Sequence, residues 1–175
     1  MKYVSQKEVD MVKRVFFMAM NAGYAVEGVE KTRIPELPGS RLITSKHRIN
    51  GYIFVVNDLY FVRKDSPSSF GSTIISCDGE PVWSMSYSGK YPKSVVPFLK
   101  EALKYNYERA VFEGGRGPRI YPLTNRVGDF EYLNSTLSDS FTSFSGREEI
   151  IELCSGKLLG YHEYSGKLML PVSPK

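Results

Sequence analysis

One tetrapeptide occurs twice in this chain, in "MSYSGKY" at residues 85–91 and in "HEYSGKL" at residues 162–168, and the recurrence sets a register. An offset of 77 carries Gly51 onto Gly128, Asn57 onto Asn134, Ser66 onto Ser143, Ser68 onto Ser145, Ile74 onto Ile151, Cys77 onto Cys154 and Gly79 onto Gly156, besides the YSGK residues. That makes 11 identities over 40 aligned residues, where unrelated segments of ordinary composition would share about two or three. Self-similarity at a fixed spacing marks a repeated structural unit, so YSGK is read first as a strand-end turn and only second as a binding loop.

The rest of each unit follows from periodicity. Ser5 followed by Glu8 is a capping box, and Val9, Val12, Val15, Phe16 and Ala19 recur at helical spacing, which predicts a helix over 5–21. Gly23, Gly28, Pro35, Pro38 and Gly39 break periodic structure, so residues 23–50 read as a long ordered connection with little regular structure. Residues 51–56, 59–63, 71–77 and 81–87 read as four antiparallel strands of a meander, punctuated by Asn57-Asp58, the cluster at 65–69 and Asp78-Gly79. Pro92 and Pro97 flank the start of a second helix that ends near Asn106; a short strand at 109–112, the basic loop "EGGRGPRIYPLTNR" and a second β-rich block at 128–170 complete the chain.

The fold class is therefore α+β: an internally duplicated helix plus four-stranded antiparallel meander. The two units, about 5–91 and 92–170, belong to a single domain over 1–175 and are related by a pseudo-two-fold. A cleft between such halves is a common place for a ligand.

Composition narrows the function classes. With 42% hydrophobic residues, 175 residues suffice for one continuous core. The excess of Lys and Arg over Asp and Glu, 23 against 19, is a mild bias toward anionic partners. No apolar run reaches bilayer length, and "MKYVSQKEVDMVKRVFF" sets charges among its apolar residues, unlike a signal peptide; the expectation is a cytoplasmic protein without a membrane partner. Cys77 and Cys154 stand without a CxxC or a Cys/His cluster, so neither a disulfide scaffold nor a metal site is expected, and no cofactor motif is present.

Four residues are candidate ligand contacts: Trp83, Tyr87, Tyr164 and Arg116. In "PVWSMSY" strand alternation puts Trp83, Met85 and Tyr87 on one face, which is core or, if exposed, a stacking platform. Tyr87 and Tyr164, with Lys90 and Lys167, would converge at the pseudo-symmetry axis. Arg116 in "FEGGRGPRIY" would act as a charge clamp; the loop lacks the ending of a P-loop. "YHEY" places His162 with Tyr164 and Tyr161 with Glu163, so His162 and Glu163 diverge. "GREEIIE", with Glu148, Glu149 and Glu152, reads as a solvated strand edge rather than a metal site.

Taken together, "AGYA", "PGS", "NDLY", "FGS", "PVWSMSYSG", "FLKEAL", "RGP" and "FSGREEI…YSGK" resemble an uncharacterised bacterial and archaeal family, domain of unknown function 5680, found alone or behind XRE-type helix-turn-helix domains. The resemblance spans about residues 16–170, and Trp83, Met85, Tyr87 and Gly89 are its most specific part. It departs where Phe61, Val62 and Arg63 follow Tyr60 in place of a glycine. The resemblance supplies no activity; it implies a sensing or partner-binding role, and residues 1–50 hold too little helix for a helix-turn-helix module, so this would be the stand-alone form.

The expected function is a non-enzymatic binding or sensory module for a small molecule or a protein segment in the cleft. One alternative is nucleic-acid binding through Lys100, Lys104, Arg109, Arg116, Arg119 and Arg126; another is an enzyme using Cys154 or His162.

Overall fold

A computed structural model describes residues 5–121 and 130–170. Gly128 and Arg126, named above for the repeat and the basic surface, lie outside the described residues. Over the described residues the fold is α+β, with two α-helices packed on an eight-stranded, wholly antiparallel sheet.

Helix α1 (Gln6–Asn21) starts at the predicted capping box: the Ser5 hydroxyl accepts from the Glu8 N–H, and the Glu8 carboxylate accepts from the Ser5 backbone N–H at 2.7 Å. Its predicted stripe, extended by Phe17 and Met20, is buried. Strands β1 (Ser40–Ile49), β2 (Tyr52–Val62), β3 (Ser68–Cys77) and β4 (Glu80–Lys90) form one meander. A short 3₁₀ turn at Lys93–Val95 leads into α2 (Val96–Glu108), and β5 (Ile120–Tyr121), β6 (Phe130–Ser140), β7 (Ser143–Glu152) and β8 (Lys157–Leu168) form the other. Sheet order is β1-β2-β3-β4-β8-β7-β6-β5, so the meanders join through β4 and β8.

Three sequence expectations are corrected. Residues 40–49 are a full edge strand, not part of an irregular connection; the breakers end at Gly39, and "RLITSKHRI" beyond it pairs residue for residue with β2. Asn57-Asp58 is not a turn. Phe54, Val56, Asp58 and Tyr60 alternate inward along one unbroken strand, so the first two predicted strands are a single β2, and the hairpin turn lies at Asn50-Gly51, both with positive φ (51° and 87°). Residues 109–112 are not a strand: Ala110 takes φ 51°, and the Ala110 and Val111 N–H groups cap the end of α2 through the Tyr107 and Asn106 carbonyls. The Asp78-Gly79 turn forms as predicted, with φ 47° and 92°.

The register of the repeat also needs revision. Tyr87 and Tyr164 are direct cross-strand partners, so at β4 and β8 the offset of 77 falls on equivalent positions. Elsewhere it does not. Gly71 pairs with Tyr87 and Gly146 with Tyr164, an offset of 75, because residues 153–156 join β7 to β8 where Asp78-Gly79 alone joins β3 to β4. A longer β2–β3 loop at 63–67, against residues 141–142 between β6 and β7, compensates in the other direction.

The core lies between the sheet and the helices. Phe16 of α1, Leu99 and Leu103 of α2, and Phe54, Ile75, Trp83, Met85, Phe144 and Ile150 of the sheet belong to one buried cluster. Among the described residues no helix is long and apolar enough to cross a membrane.

Candidate functional site

Alternation aims polar side chains into this core from three strands. Asp58 on β2, Glu148 on β7 and His162 on β8 are all buried, and the loop after α2 adds Arg116, which is also buried. An ionised group so placed needs a partner. Arg116 donates through Nη2 to Glu148 Oε1, and the Tyr132 hydroxyl donates to Glu148 Oε2 at 2.6 Å. Burial alone would raise the Glu148 carboxyl; the Arg116 charge and the contacts with His162 and Arg116 outweigh it and hold the carboxyl down at about 2. Burial would likewise lower Arg116, but Glu148 keeps it well above its ordinary value. The pair is a fixed, internally neutralised ion pair.

Asp58 is held differently. Its Oδ1 accepts from the Tyr87 hydroxyl at 2.8 Å and the Thr73 hydroxyl at 3.0 Å, and Oδ2 has no hydrogen-bond partner among the described residues. Burial raises its proton affinity, and the two hydroxyls and Arg116 offset part of that rise. Tyr87 and Tyr132 are themselves raised well above the phenol range, chiefly by burial, so both stay protonated donors.

These groups surround a cavity of about 70 Å³ between the sheet and α2. Asp58, Thr73, Tyr87, Arg116 and His162 line it with Tyr24, Tyr60, Met85, Leu99 and Tyr107. The Arg116 guanidinium lies over the Tyr87 ring, 5.4 Å from its centroid, and Arg116 Nε is buried with no hydrogen-bond partner among the described residues. His162 Nε2 is 3.0 Å from Ser69 Oγ, while Nδ1, 3.4 Å from Glu148 Oε1, lacks hydrogen-bond geometry. The cavity therefore offers neutral donors, one carboxyl oxygen and spare guanidinium N–H groups to a small polar molecule.

The sequence candidates are thus divided. Tyr87 and Arg116 meet at the cavity. Tyr164 sits one strand away with its hydroxyl donating to Asn134 Oδ1 at 2.5 Å, and it is not among the lining residues. Trp83 is no platform: it has no exposed surface, stacks on Phe141 and Phe144 and donates its indole N–H to the Phe141 carbonyl at 3.2 Å. Arg116 is not a free clamp, because Glu148 already answers its charge.

Glu148 is the clearest correction. It is fully buried, not on a solvated edge; its position in phase with Ile150 and Phe144 on the core face of β7 was the available signal. His162 and Tyr164 share the buried face and Glu163 the exposed one, as alternation requires. Cys154 is exposed in the β7–β8 turn, whereas His162 is buried against Ser69 and Glu148. Sequence pattern singles out neither residue of the Asp58–Thr73 pair, since Asn57-Asp58 reads as a turn and Thr73 as one more strand residue.

The cations proposed for nucleic acid are dispersed in role. Arg116 is buried, Lys104 pairs with Glu108, Arg119 with Glu113 and Asp139, and Lys100 and Arg109 lie over the rings of Tyr24 and Tyr105. Among the described residues no group of three or more His, Cys, Asp or Glu side chains is placed to hold a metal ion.

No curated protein and no solved structure matches the chain. A family model does, over residues 58–169, a span that opens on Asp58 and contains Thr73, Tyr87, Arg116, Glu148 and His162. By that match, over more than half of its length, the chain belongs to the family described as Domain of unknown function (DUF5680).

Proposed function

We propose that the protein is a cytoplasmic, non-enzymatic binding or sensory module that holds a small molecule in the cavity between the sheet and α2. The observation that carries this reading is Arg116, a buried cation whose Nε has no partner among the described residues, beside a cavity. Buried polar atoms are nearly always hydrogen-bonded, and those that are not deserve an explanation; here the explanation is a ligand or the water it displaces. The neighbouring carboxyl, phenols and Met side chains supply orientation and contact area. A cavity of about 150 Å³ holds a benzene, so 70 Å³ suits a ligand end of about three to five non-hydrogen atoms.

The two meanders are also proposed to be copies of one unit about a pseudo-two-fold through the Tyr87–Tyr164 pair. Each tyrosine has a glycine opposite, Gly71 or Gly146, and each hydroxyl donates to a side chain of the second strand of its meander, Asp58 or Asn134.

A screen of small polar fragments by NMR tests the site. Binders are expected to shift the Arg116 Nε–H resonance, and the shift should vanish in Val62→Trp, which fills the cavity mouth at a half-exposed position. Binders that leave Arg116 unmoved, or that perturb only the helix-free face of the sheet, would overturn the reading.

A further inference from the structure

The cavity does not stand alone. Tyr24, Val62, Ser69, Leu99 and His162 line it and also line a vestibule of about 830 Å³ that opens to the surface. The roof of that vestibule is the Pro/Gly-rich connection between α1 and β1 together with the β2–β3 loop.

Charge separates the two spaces. Within the cavity the positive charge of Arg116 is spoken for by Glu148, and Asp58 presents a further carboxyl, so nothing there favours an anion. The vestibule is lined by Arg33, Arg41, Arg63, Lys64 and Lys93, and no Asp or Glu is among its lining residues. Arg63 is engaged by Asp65, and Arg41 donates to the Ser40 carbonyl. The side chains of Arg33, Lys64 and Lys93 make no hydrogen bond or ion pair among the described residues. A concave wall carrying one sign of charge focuses field and concentrates ions of the opposite sign. At the junction His162, nine-tenths buried, bridges from Ser69 toward Glu148 and faces both spaces.

We infer that the ligand is a small organic anion whose carboxylate or phosphate stays among the vestibule cations while an uncharged polar end enters the cavity beside Arg116 and Asp58. This rests on the cavity being the binding site, as proposed above. The division follows from the cost of burying charge: an anion placed beside Asp58 would lose its hydration and meet a like charge, whereas a hydroxyl, carbonyl or amide there finds both donors and an acceptor.

Isothermal titration with lactate, phosphoglycolate and the uncharged propane-1,2-diol, in low and high NaCl, tests it. The anions are expected to bind at least about tenfold more tightly than the diol at low salt, with the advantage shrinking as salt rises. Arg33→Glu with Lys93→Glu, both at exposed positions, should remove that advantage and leave diol binding in place. Equal binding of anion and diol, an anion advantage unmoved by the charge reversals, or no binding by any of the three probes overturns the inference. Anion binding that survives Val62→Trp unchanged is a separate outcome: it would place the site in the vestibule alone and sink the cavity reading instead.

Discussion

The two halves of the sheet hold their central tyrosines in matching backbone surroundings and use them for opposite ends. In the β5–β8 half, the Tyr164 hydroxyl meets Asn134, whose amide nitrogen donates to the Glu113 carbonyl at 3.0 Å and the Gly117 carbonyl at 2.8 Å. Every polar atom of that side chain is satisfied, and the loop carrying Arg116 is tied down to the sheet. In the β1–β4 half, the Tyr87 hydroxyl meets a carboxyl, Asp58, which lines the cavity. Two residues further along the neighbouring strand, Thr73 stands opposite Met85 in one half and Glu148 opposite His162 in the other. The difference teaches that the β5–β8 half is the anchor, closed by its own ion pair and amide, and the β1–β4 half is the side whose inward carboxyl borders the cavity.

The anchor is where the largest effect is expected. Glu148→Ala leaves the Arg116 guanidinium buried without its partner, which should cost about 3–5 kcal/mol in urea unfolding. Replacing both partners by apolar residues of similar volume, Arg116→Met with Glu148→Leu, should recover most of the loss. A single variant as stable as wild type would mean that the pair does not anchor the second half. The pH dependence has a definite sign. The Glu148 carboxyl is held below its ordinary 4.5, at about 2, so its contribution is present above pH 4.5 and is lost as the pH falls toward 2. In Glu148→Ala that part of the acid-induced loss should be missing.

Next in size are the glycines under the two tyrosines. A Cβ at Gly71 would lie 2.6 Å from the Leu59 carbonyl oxygen and 2.8 Å from the Tyr87 hydroxyl; at Gly146 it would lie 2.6 Å from the Ser135 carbonyl oxygen and closer still to the Tyr164 hydroxyl. Gly71→Ala and Gly146→Ala should each cost about 1–3 kcal/mol, since backbone on one side and a packed ring on the other cannot both give way. The comparison sharpens if Gly71→Ala is the milder, because Tyr87 borders the cavity beside α2 and Tyr164 does not. Equal costs measured by thermal unfolding would argue that the void gives Tyr87 no freedom.

The contrast between the halves was legible in the sequence only in outline. The repeated YSGK, expected as a strand-end turn, lies instead within the paired stretches of β4 and β8, whereas alternation in "PVWSMSY" and "YHEY" gave the correct faces, because a period of two survives whatever the loops do. The fixed offset failed in the other strands because loop insertions cancel along the chain and leave no trace in its total length. Asp58 was hidden by its own chemistry: an Asn-Asp pair inside a strand imitates a turn, and only the hydroxyls of Tyr87 and Thr73, far apart in sequence, make an inward carboxyl tolerable. The phase of Glu148 with Phe144 and Ile150 was legible, but its partner Arg116 comes from a loop with no periodicity to place it. The cavity and vestibule exist only where the α1–β1 connection folds over the sheet, and no local pattern announces them.

The smallest effects separate the two tyrosines directly. Tyr164→Phe strips the buried Asn134 oxygen of its donor and should cost about 1–3 kcal/mol, the desolvation of an unpaired polar atom. Tyr87→Phe should cost less, about 0.5–1.5 kcal/mol, because Asp58 keeps the Thr73 hydroxyl and borders a space that admits water. Its pH dependence should set it apart. Asp58 is raised above its ordinary 3.8 by burial, so its contribution is fully present below that value and is lost as the pH climbs past it. The Tyr87 hydroxyl favours the ionised carboxylate; removing it raises Asp58 further. The gap between Tyr87→Phe and wild type should then be smallest near about pH 3 and widen as the pH rises, while the cost of Tyr164→Phe, opposite a neutral amide, shows no such widening. In an Asp58→Asn background the widening should disappear. If Tyr87→Phe and Tyr164→Phe track each other across the pH range, Asp58 is not an open carboxyl, and the proposed asymmetry between the two tyrosines fails with it.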